Sequence, residues 1–201
     1  MCNRSGSDYS RYIAVTNRRL CSGDYLTQIR KIADLQPGGL ILREKALTDE
    51  EYGHLAVQVL DICREQKVPC YLHGHVEIAR RLKCERIHLP LETLLMLTGH
   101  TAAAAAPAPL AAFSHISVSC HSAADVQAAV AHGATQILLG NIFETDCKKG
   151  LPGKGLDFLR EICLLSPVPV YAIGGITPEN FPSVCAAGAA GGCMMSGFMR
   201  M

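Results

Sequence analysis

Eight short segments rich in Ile, Val and Leu recur along the chain, and stretches with helical periodicity lie between most of them. Each segment is bounded by Gly, Pro or polar residues, which is typical of a short buried strand. The predicted strands are 12–16, 39–44, 69–74, 86–91, 115–121, 136–142, 169–175 and 191–197. This alternation constrains the fold strongly, because it predicts parallel strands joined by right-handed helical crossovers.

Start and stop signals mark the intervening helices. Thr48, followed three residues later by a glutamate, is typical of a capping box at the start of a long helix. Ser122 and Gly133 delimit a second helix, and Pro178 predicts a third that begins near Thr177. Further helical patterns cover 24–35, 75–83 and 155–165, and a weaker one covers 92–100.

The strand count predicts an α/β fold with one domain over residues 1–201, a small (β/α)8 TIM barrel, because closing the sheet removes both exposed edges. A doubly wound open sheet is the alternative. The last strand ends close to Met201, so we expect the final C-terminal helix to be missing or replaced. An uncovered barrel flank would favour a homodimer. We expect residues 1–11 to be disordered or loosely attached, while the Ala/Pro-rich stretch 101–112 fits either a loop or a frayed helix.

The composition narrows the class of protein. Hydrophobic residues make up 49% of the chain, and 19 Lys and Arg residues against 18 Asp and Glu give a net charge of +1, so no nucleic-acid partner is expected. No apolar run reaches the roughly 18 residues of a membrane span, and the N-terminus lacks the apolar core of a signal peptide. The ten cysteines form no CxxC pair, and reduced thiols in a cytoplasmic protein are the simplest interpretation. The "HGH" at 73–75 hints at zinc, but without matching cysteine spacing we expect no metal site.

Polar residues stand at several predicted strand exits, where barrels collect their reactive groups. They include Arg43 and Lys45 after the second strand, His73 after the third, and Ser119 and His121 at the end of the fifth. Arg43 and Lys45 are two positions apart, so both can point towards one anionic group, although a solvated loop is the simpler interpretation. Lys148, in the glycine-rich loop after the sixth strand, either adds positive charge or belongs to an ordinary exposed turn.

Two neighbouring strand exits contain small residues suited to binding an anion. Gly174 and Gly175 follow the seventh strand, and Ser196 and Gly197 follow the eighth. Backbone N–H groups in such turns can approach a phosphate closely, and phosphate sites after strands seven and eight recur in barrels. The alternative is that these residues only form tight turns, but two such turns in adjacent loops favour a phosphate site.

Four stretches together resemble one known superfamily. They are "LREKALTDEE", "SVSCHSAADVQAA", "GNIFETDCKKGLPGKGLDFL" and "PVYAIGGITPENFPSVCAAGAAGGCMMSG". These stretches look like the thiamine phosphate synthase and thiazole tautomerase (TenI-like) superfamily. The resemblance extends over about residues 12–197 and is weak around 92–114.

The synthase branch implies a transferase that joins a pyrimidine pyrophosphate to a thiazole phosphate with Mg²⁺. That branch is expected to carry an Asn-Asp pair at the end of the third strand, where this chain has His73-Gly74. It is also expected to carry an HxGQxD stretch at the fourth strand, where this chain has "HLPLET" and Thr93 replaces the aspartate. Both expected metal carboxylates are therefore absent, which argues against activation by Mg²⁺.

The tautomerase branch implies an isomerase of thiamine biosynthesis that needs no cofactor. The Ser119-Cys120-His121-Ser122 sequence and "FETDCKKGL" resemble this branch. The implied reaction aromatises a carboxylated dihydrothiazole phosphate by moving a proton. The resemblance assigns catalysis to His121 and phosphate binding to the two small-residue turns. The implied substrate contacts are Arg43, Lys45, His73, Ser119, Thr145 and Lys148, with Arg43, Lys45 or Lys148 facing the carboxylate.

The chemistry suits a histidine, because an unperturbed imidazole both accepts and donates protons near neutral pH. A structural role is the commoner fate of a histidine at a strand end, and we expect that role for His88. Beside a phosphate site, His121 is better interpreted as a base. Three functions stay open: the tautomerase, the synthase, and a non-catalytic regulator that binds a phosphate ligand.

Overall fold

A computed structural model describes residues 8–99, 109–145 and 150–201, and these form a closed barrel of eight parallel strands. The strands follow one another around the barrel in chain order, and the first pairs with the last. They are β1 (Tyr12–Val15), β2 (Gly39–Leu42), β3 (Cys70–His73), β4 (Arg86–Pro90), β5 (His115–Cys120), β6 (Gln136–Gly140), β7 (Val170–Ile173) and β8 (Gly191–Met194). The prediction of a (β/α)8 barrel is confirmed, and each observed strand lies within its predicted segment.

Helices follow the strands, as the crossover rule requires. They are α1 (Tyr25–Asp34), α2 (Asp49–Glu65), α3 (Val76–Arg81), α4 (Leu91–Thr98), α5 (Ala123–Ala131), α6 (Gly155–Leu165), α7 (Phe181–Ala186) and α8 (Ser196–Met199), with a 3-10 turn at Arg18–Leu20. The capping box at Thr48 is present: its side chain accepts from the Glu51 N–H, and the Glu51 carboxylate accepts from the Thr48 N–H.

Two predictions about the last helices need correction. The final helix is present but short, because α8 spans one turn, in which Phe198 and Met199 are buried. Helix α7 begins at Phe181 and not near Thr177. The side chain of Asn180 accepts from the Thr177 N–H at 2.9 Å and donates to the Gly175 carbonyl at 2.8 Å, so residues 177–180 close a turn before the helix starts.

The alternation of side chains along each strand separates two apolar regions. Outward-facing residues such as Leu40, Leu42 and Val118 pack against the helices and form the larger core. Inward-facing residues fill the barrel with a smaller cluster of Ile13, Val15, Ile41, Tyr71, Leu138 and Cys193. The barrel interior is therefore filled by side chains, and a ligand at the barrel mouth would sit above this cluster, at the carboxyl ends of the strands.

Parts of the two predicted irregular segments are described. In the segment 1–11, Arg11 donates to the carbonyls of Ala189 and Ala190, and Tyr9 packs against Phe198, so residues 8–11 contact the barrel. In the segment 101–112, residues 101–108 lie outside the described residues, and Leu110 is buried.

The described residues contain free cysteines, but neither a cluster of metal ligands nor a membrane-spanning helix. Eight cysteines there are free thiols, and no three His, Cys, Asp or Glu side chains of this part of the chain come together in a way that could hold a metal ion. His75 of the "HGH" stretch contacts the Asp49 carboxylate at 2.9 Å and stacks on Tyr52. None of the helices in the same residues is both long and apolar enough to span a bilayer.

Candidate active site

A cavity of about 420 Å³ opens at the carboxyl ends of the strands. Nine of the residues predicted from the sequence line it: Arg43, Lys45, His73, Ser119, His121, Thr145, Gly174, Gly175 and Ser196. Gly197 lies in α8 next to Ser196 and is not among the lining residues, and Lys148 lies outside the described residues. The strand-exit rule thus brings residues from six different strand ends to one site.

His121 stands on the rim where β5 passes into α5. Its ring Nδ1 lies 2.6 Å from the carbonyl oxygen of Gly140 on the neighbouring strand. A carbonyl oxygen only accepts hydrogen bonds, so Nδ1 must carry the proton. In the neutral imidazole, Nε2 is then the nitrogen with a lone pair, and it can act as a base.

Asp125 holds the backbone at His121. Its Oδ2 accepts from the His121 N–H at 2.6 Å, while the Asp125 N–H donates to the Ser122 hydroxyl oxygen at 3.1 Å. Partial burial acts to raise the pKa of Asp125, but the hydrogen bonds from Ser122 and His121 outweigh it and leave this pKa lowered. The carboxylate is therefore ionised at neutral pH, and the start of α5 fixes the chain at the candidate base.

Gly174 and Gly175 form a turn that packs tightly against the loop after β6. Their φ angles are 99° and 64°, in the left-handed region that favours glycine. A Cβ atom at Gly174 would lie 2.5 Å from the Asn141 Cβ. The carbonyl of Gly174 accepts from the Phe143 N–H, and that of Gly175 accepts from the Asn180 side chain. Both carbonyl oxygens, whose negative partial charge would repel an anion, are thus occupied by hydrogen bonds within the protein.

Arg43 and Lys45 line the opposite side of the cavity, and Glu44 between them turns into the protein. Glu44 is 4% exposed, and it accepts hydrogen bonds from the Thr16 hydroxyl, the Tyr25 hydroxyl and the Arg18 N–H. Among the described residues, no carboxylate pairs with Arg43 or Lys45. The described residues therefore leave both cations available to an anionic ligand.

His73 and His88 stand side by side beneath these cations, with ring centroids 5.3 Å apart. Burial, together with the positive charges of Arg43 and Lys45, lowers the pKa of His73 to about 4. Burial also lowers the pKa of His88 well below its usual value, with smaller contributions from His73 and Arg43. Both rings are neutral at neutral pH, so they contribute hydrogen bonds to the site and not charge.

The depressed pKa of His73 predicts a loss of stability in acid. An unfolded histidine titrates near pH 6.5. Below that pH the unfolded chain binds a proton at residue 73, whereas the folded chain stays neutral there until about pH 4, so the folded state loses stability. We expect the free energy of unfolding to fall by roughly 3 kcal/mol from this group as the pH drops from about 6.5 to about 4. Denaturant titrations at a series of pH values measure this loss, and His73→Gln should flatten the profile. Parallel profiles for the two proteins would contradict the assignment.

Among the lining residues that the sequence did not assign to the site, His88 and Asn141 are polar and buried. His88 was expected to be structural, yet its ring lies in the lining, because it faces inward together with Pro90 two positions later. Asn141 was placed inside a strand, but β6 ends at Gly140, and Asn141 lies at the exit with 6% exposure. The strand-exit rule would have found Asn141 if the end of that strand had been placed correctly.

Comparison with known proteins identifies the family of this barrel. A sequence model of the TMP-TENI family, described as thiamine monophosphate synthase, matches residues 12–198. The chain belongs to this family. The TMP-TENI resemblance noted in the sequence is thereby confirmed, although the match does not distinguish a tautomerase branch.

Several relatives of this TMP-TENI chain are named as enzymes. The thiamine-phosphate synthase of Bacillus velezensis is 32% identical over 185 residues, which cover 87% of this chain and 77% of the relative. That of Coprothermobacter proteolyticus is 28% identical over 183 residues, with 90% and 83% coverage. A probable thiamine biosynthetic bifunctional enzyme of rice is 33% identical over 147 residues, 73% of this chain, but the match spans only 26% of the rice protein.

Solved structures share the TMP-TENI barrel. The thiamine phosphate pyrophosphorylase of Pyrococcus furiosus superposes with a TM-score of 0.78 over 96% of this chain and 89% of that protein, at 22% identity. FabK of Thermotoga maritima superposes with a TM-score of 0.64 at 11% identity, over 94% of this chain and 59% of that protein. Differently named proteins thus share the barrel, and function has to be argued from the site.

Proposed function

We propose that this TMP-TENI chain is a metal-independent isomerase of thiamine biosynthesis, a thiazole tautomerase. The observation that carries the proposal is one cavity that combines a histidine with an exposed lone pair, a glycine turn and two cations, and whose described lining contains no carboxylate. The substrate would be a carboxylated dihydrothiazole phosphate, and the product would be the aromatic carboxythiazole phosphate.

His121 would move the proton. Its Nδ1–H is engaged by the Gly140 carbonyl, so Nε2 is the nitrogen that would take the proton from the ring carbon next to the carboxylate. The electron pair of that C–H bond would enter the ring, and the exocyclic carbon would receive a proton from the resulting imidazolium. No atom is gained or lost, and formation of the aromatic ring makes the reaction downhill.

The two anionic groups of the substrate would bind on opposite sides of the cavity. The backbone N–H groups of the Gly174–Gly175 turn, with Ser196, would take the phosphate. Arg43 and Lys45 would face the carboxylate, where a guanidinium can form paired hydrogen bonds. Fixing both ends would hold the reacting carbon beside His121, and such positioning lowers the barrier by restricting motion before the reaction.

A thiamine-phosphate synthase is the second candidate, and the names of the relatives favour it over the tautomerase. That activity would require Mg²⁺, which prefers carboxylate and phosphate oxygens. The described lining offers His73, His88 and Pro90 near the ends of β3 and β4, and Thr93 lies in α4 outside the lining. These residues do not fit a Mg²⁺ site, and we therefore rank the synthase second.

The two enzymatic proposals differ in a direct assay. The purified chain is mixed with the dihydrothiazole carboxylate phosphate, and ring aromatisation is followed by ultraviolet absorbance. We expect turnover at the same rate with and without EDTA, because the described lining offers no carboxylate that would hold Mg²⁺.

The same preparation is also supplied with the pyrimidine pyrophosphate and the thiazole phosphate. Joining of the two rings that depends on added Mg²⁺ would contradict the tautomerase and support the synthase. Binding of thiazole phosphates without either reaction would leave the third possibility, a regulator that retains the phosphate site.

A further inference from the structure

A chain of polar side chains runs from the barrel interior to the cavity. Gln136 Nε2 on β6 lies 3.2 Å from the Ser117 hydroxyl oxygen on β5, and that oxygen lies 2.9 Å from His88 Nδ1 on β4. The other ring nitrogen, Nε2, lies 2.9 Å from the hydroxyl oxygen of Ser119, which lines the cavity. Ser117 is 0% and His88 is 3% exposed, so both must satisfy their hydrogen bonds within this network.

The amide of Gln136 sets the direction of these bonds. An amide nitrogen only donates, so Ser117 accepts from Gln136 and has its own hydroxyl proton to place. The described residues put one other group at the Ser117 oxygen, the Nδ1 of His88. If Nδ1 accepts this proton, the single proton of the neutral ring must be on Nε2, and Nε2 donates to Ser119.

We propose that His88 is a positioning residue, held as the Nε2–H tautomer, which makes Ser119 a hydrogen-bond donor towards the cavity. The Nε2–H of His88 occupies an acceptor lone pair of Ser119. The hydroxyl proton of Ser119 is then free to point at a ligand, and the remote side chain of Gln136 controls that choice through Ser117.

This arrangement would select the ligand by hydrogen-bond polarity. A carboxylate or phosphate oxygen at Ser119 would be bound, whereas a ligand ammonium or amide N–H, which only donates, would leave the Ser119 proton unpaired. Unpaired buried polar groups are costly, so fixed donors discriminate strongly. Ser119 would thereby act with Arg43 and Lys45 in selecting an anion.

The tautomer can be measured without any ligand. In ¹⁵N NMR spectra of the histidine-labelled protein, protonated and bare imidazole nitrogens are well separated, so the spectrum identifies the tautomer of His88. We expect Nε2–H in the wild type. In Gln136→Glu, a carboxylate would accept from Ser117 and reverse every bond, giving Nδ1–H at His88. The Gln127→Glu control adds the same charge on an exposed part of α5 and should leave the tautomer unchanged.

A wild type with Nδ1–H, or a Gln136→Glu protein whose His88 is in any form other than Nδ1–H, would overturn the proposal. The wild-type spectrum alone decides the matter if Gln136→Glu does not fold.

The binding arm of the test rests on the proposed function and uses carboxythiazole phosphate in calorimetry. We expect Ser119→Ala to weaken binding by roughly tenfold, as for the loss of a hydrogen bond to a charged group, and Gln136→Glu to weaken it to a similar extent. The double variant should bind no more weakly than either single variant, since both substitutions act through one hydroxyl.

Unchanged affinity in a Gln136→Glu protein with the reversed tautomer would overturn the role of Ser119. No binding to the wild type would count against the proposed function alone, because the NMR result is independent of it.

Discussion

His121→Ala should lower kcat for aromatisation of the dihydrothiazole phosphate by roughly 10²- to 10⁴-fold, the usual contribution of a general acid–base group. The proposed reaction needs one group that takes a proton and returns it, and His121 is the histidine on the cavity rim whose Nδ1 is engaged by Gly140. Because the phosphate and carboxylate contacts lie elsewhere, the affinity for the carboxythiazole product should change little. Steady-state kinetics and product binding by calorimetry measure the two effects separately.

His115→Ala is the matched control for this variant. His115 is the same residue type on the same strand, but it begins β5 at the opposite end of the barrel, where its ring contacts the Ser114 hydroxyl. We expect its kcat to equal that of the wild type. Equal rates for all three proteins would rule out His121 as the base, whereas a parallel loss in both variants would indicate general damage to β5.

The sequence was sufficient to predict the barrel, because the information needed is local. Eight short apolar segments, the capping box at Thr48 and the stop at Gly133 each depend on neighbouring residues alone. The error at α7 comes from side-chain hydrogen bonds within a single loop, which start and stop signals do not reveal. Asn180 closes a turn by bonding both Thr177 and the Gly175 carbonyl, and this delays the start of α7 beyond the position that Pro178 indicates.

The candidate site was predicted less completely than the fold, for a physical reason. Residues at the carboxyl end of a strand can be assigned to the barrel mouth from the strand pattern, and this rule found Arg43, His73 and His121. The role of His88 depends on Ser117 and Gln136 on two other strands, and no local pattern contains that relation. The close approach of Gly174 to Asn141 likewise joins residues 33 positions apart.

Gly174→Ala should combine a large loss of stability with a loss of anion binding. A left-handed φ of 99° costs a non-glycine residue about 1–2 kcal/mol. The new methyl group would also lie 2.5 Å from the Asn141 Cβ and 2.8 Å from its Cα, so backbone must move, which costs roughly a further 1–3 kcal/mol. The movement would displace the N–H groups proposed to bind phosphate, and we expect the affinity for carboxythiazole phosphate to fall by at least about tenfold, the loss of one hydrogen bond to a charged group.

Gly133→Ala separates the two effects, because Gly133 has a similar positive φ but lies in open space. Gly133 has a φ of 90° at the end of α5, and a Cβ there would have no neighbour within 4 Å. This variant should lose only the 1–2 kcal/mol of conformational strain, and its ligand affinity should equal that of the wild type. Denaturant unfolding gives the stabilities, and calorimetry gives the affinities. If Gly174→Ala lost stability but bound the ligand as tightly as Gly133→Ala does, the turn would serve packing against Asn141 alone, and the phosphate would have to bind elsewhere in the cavity.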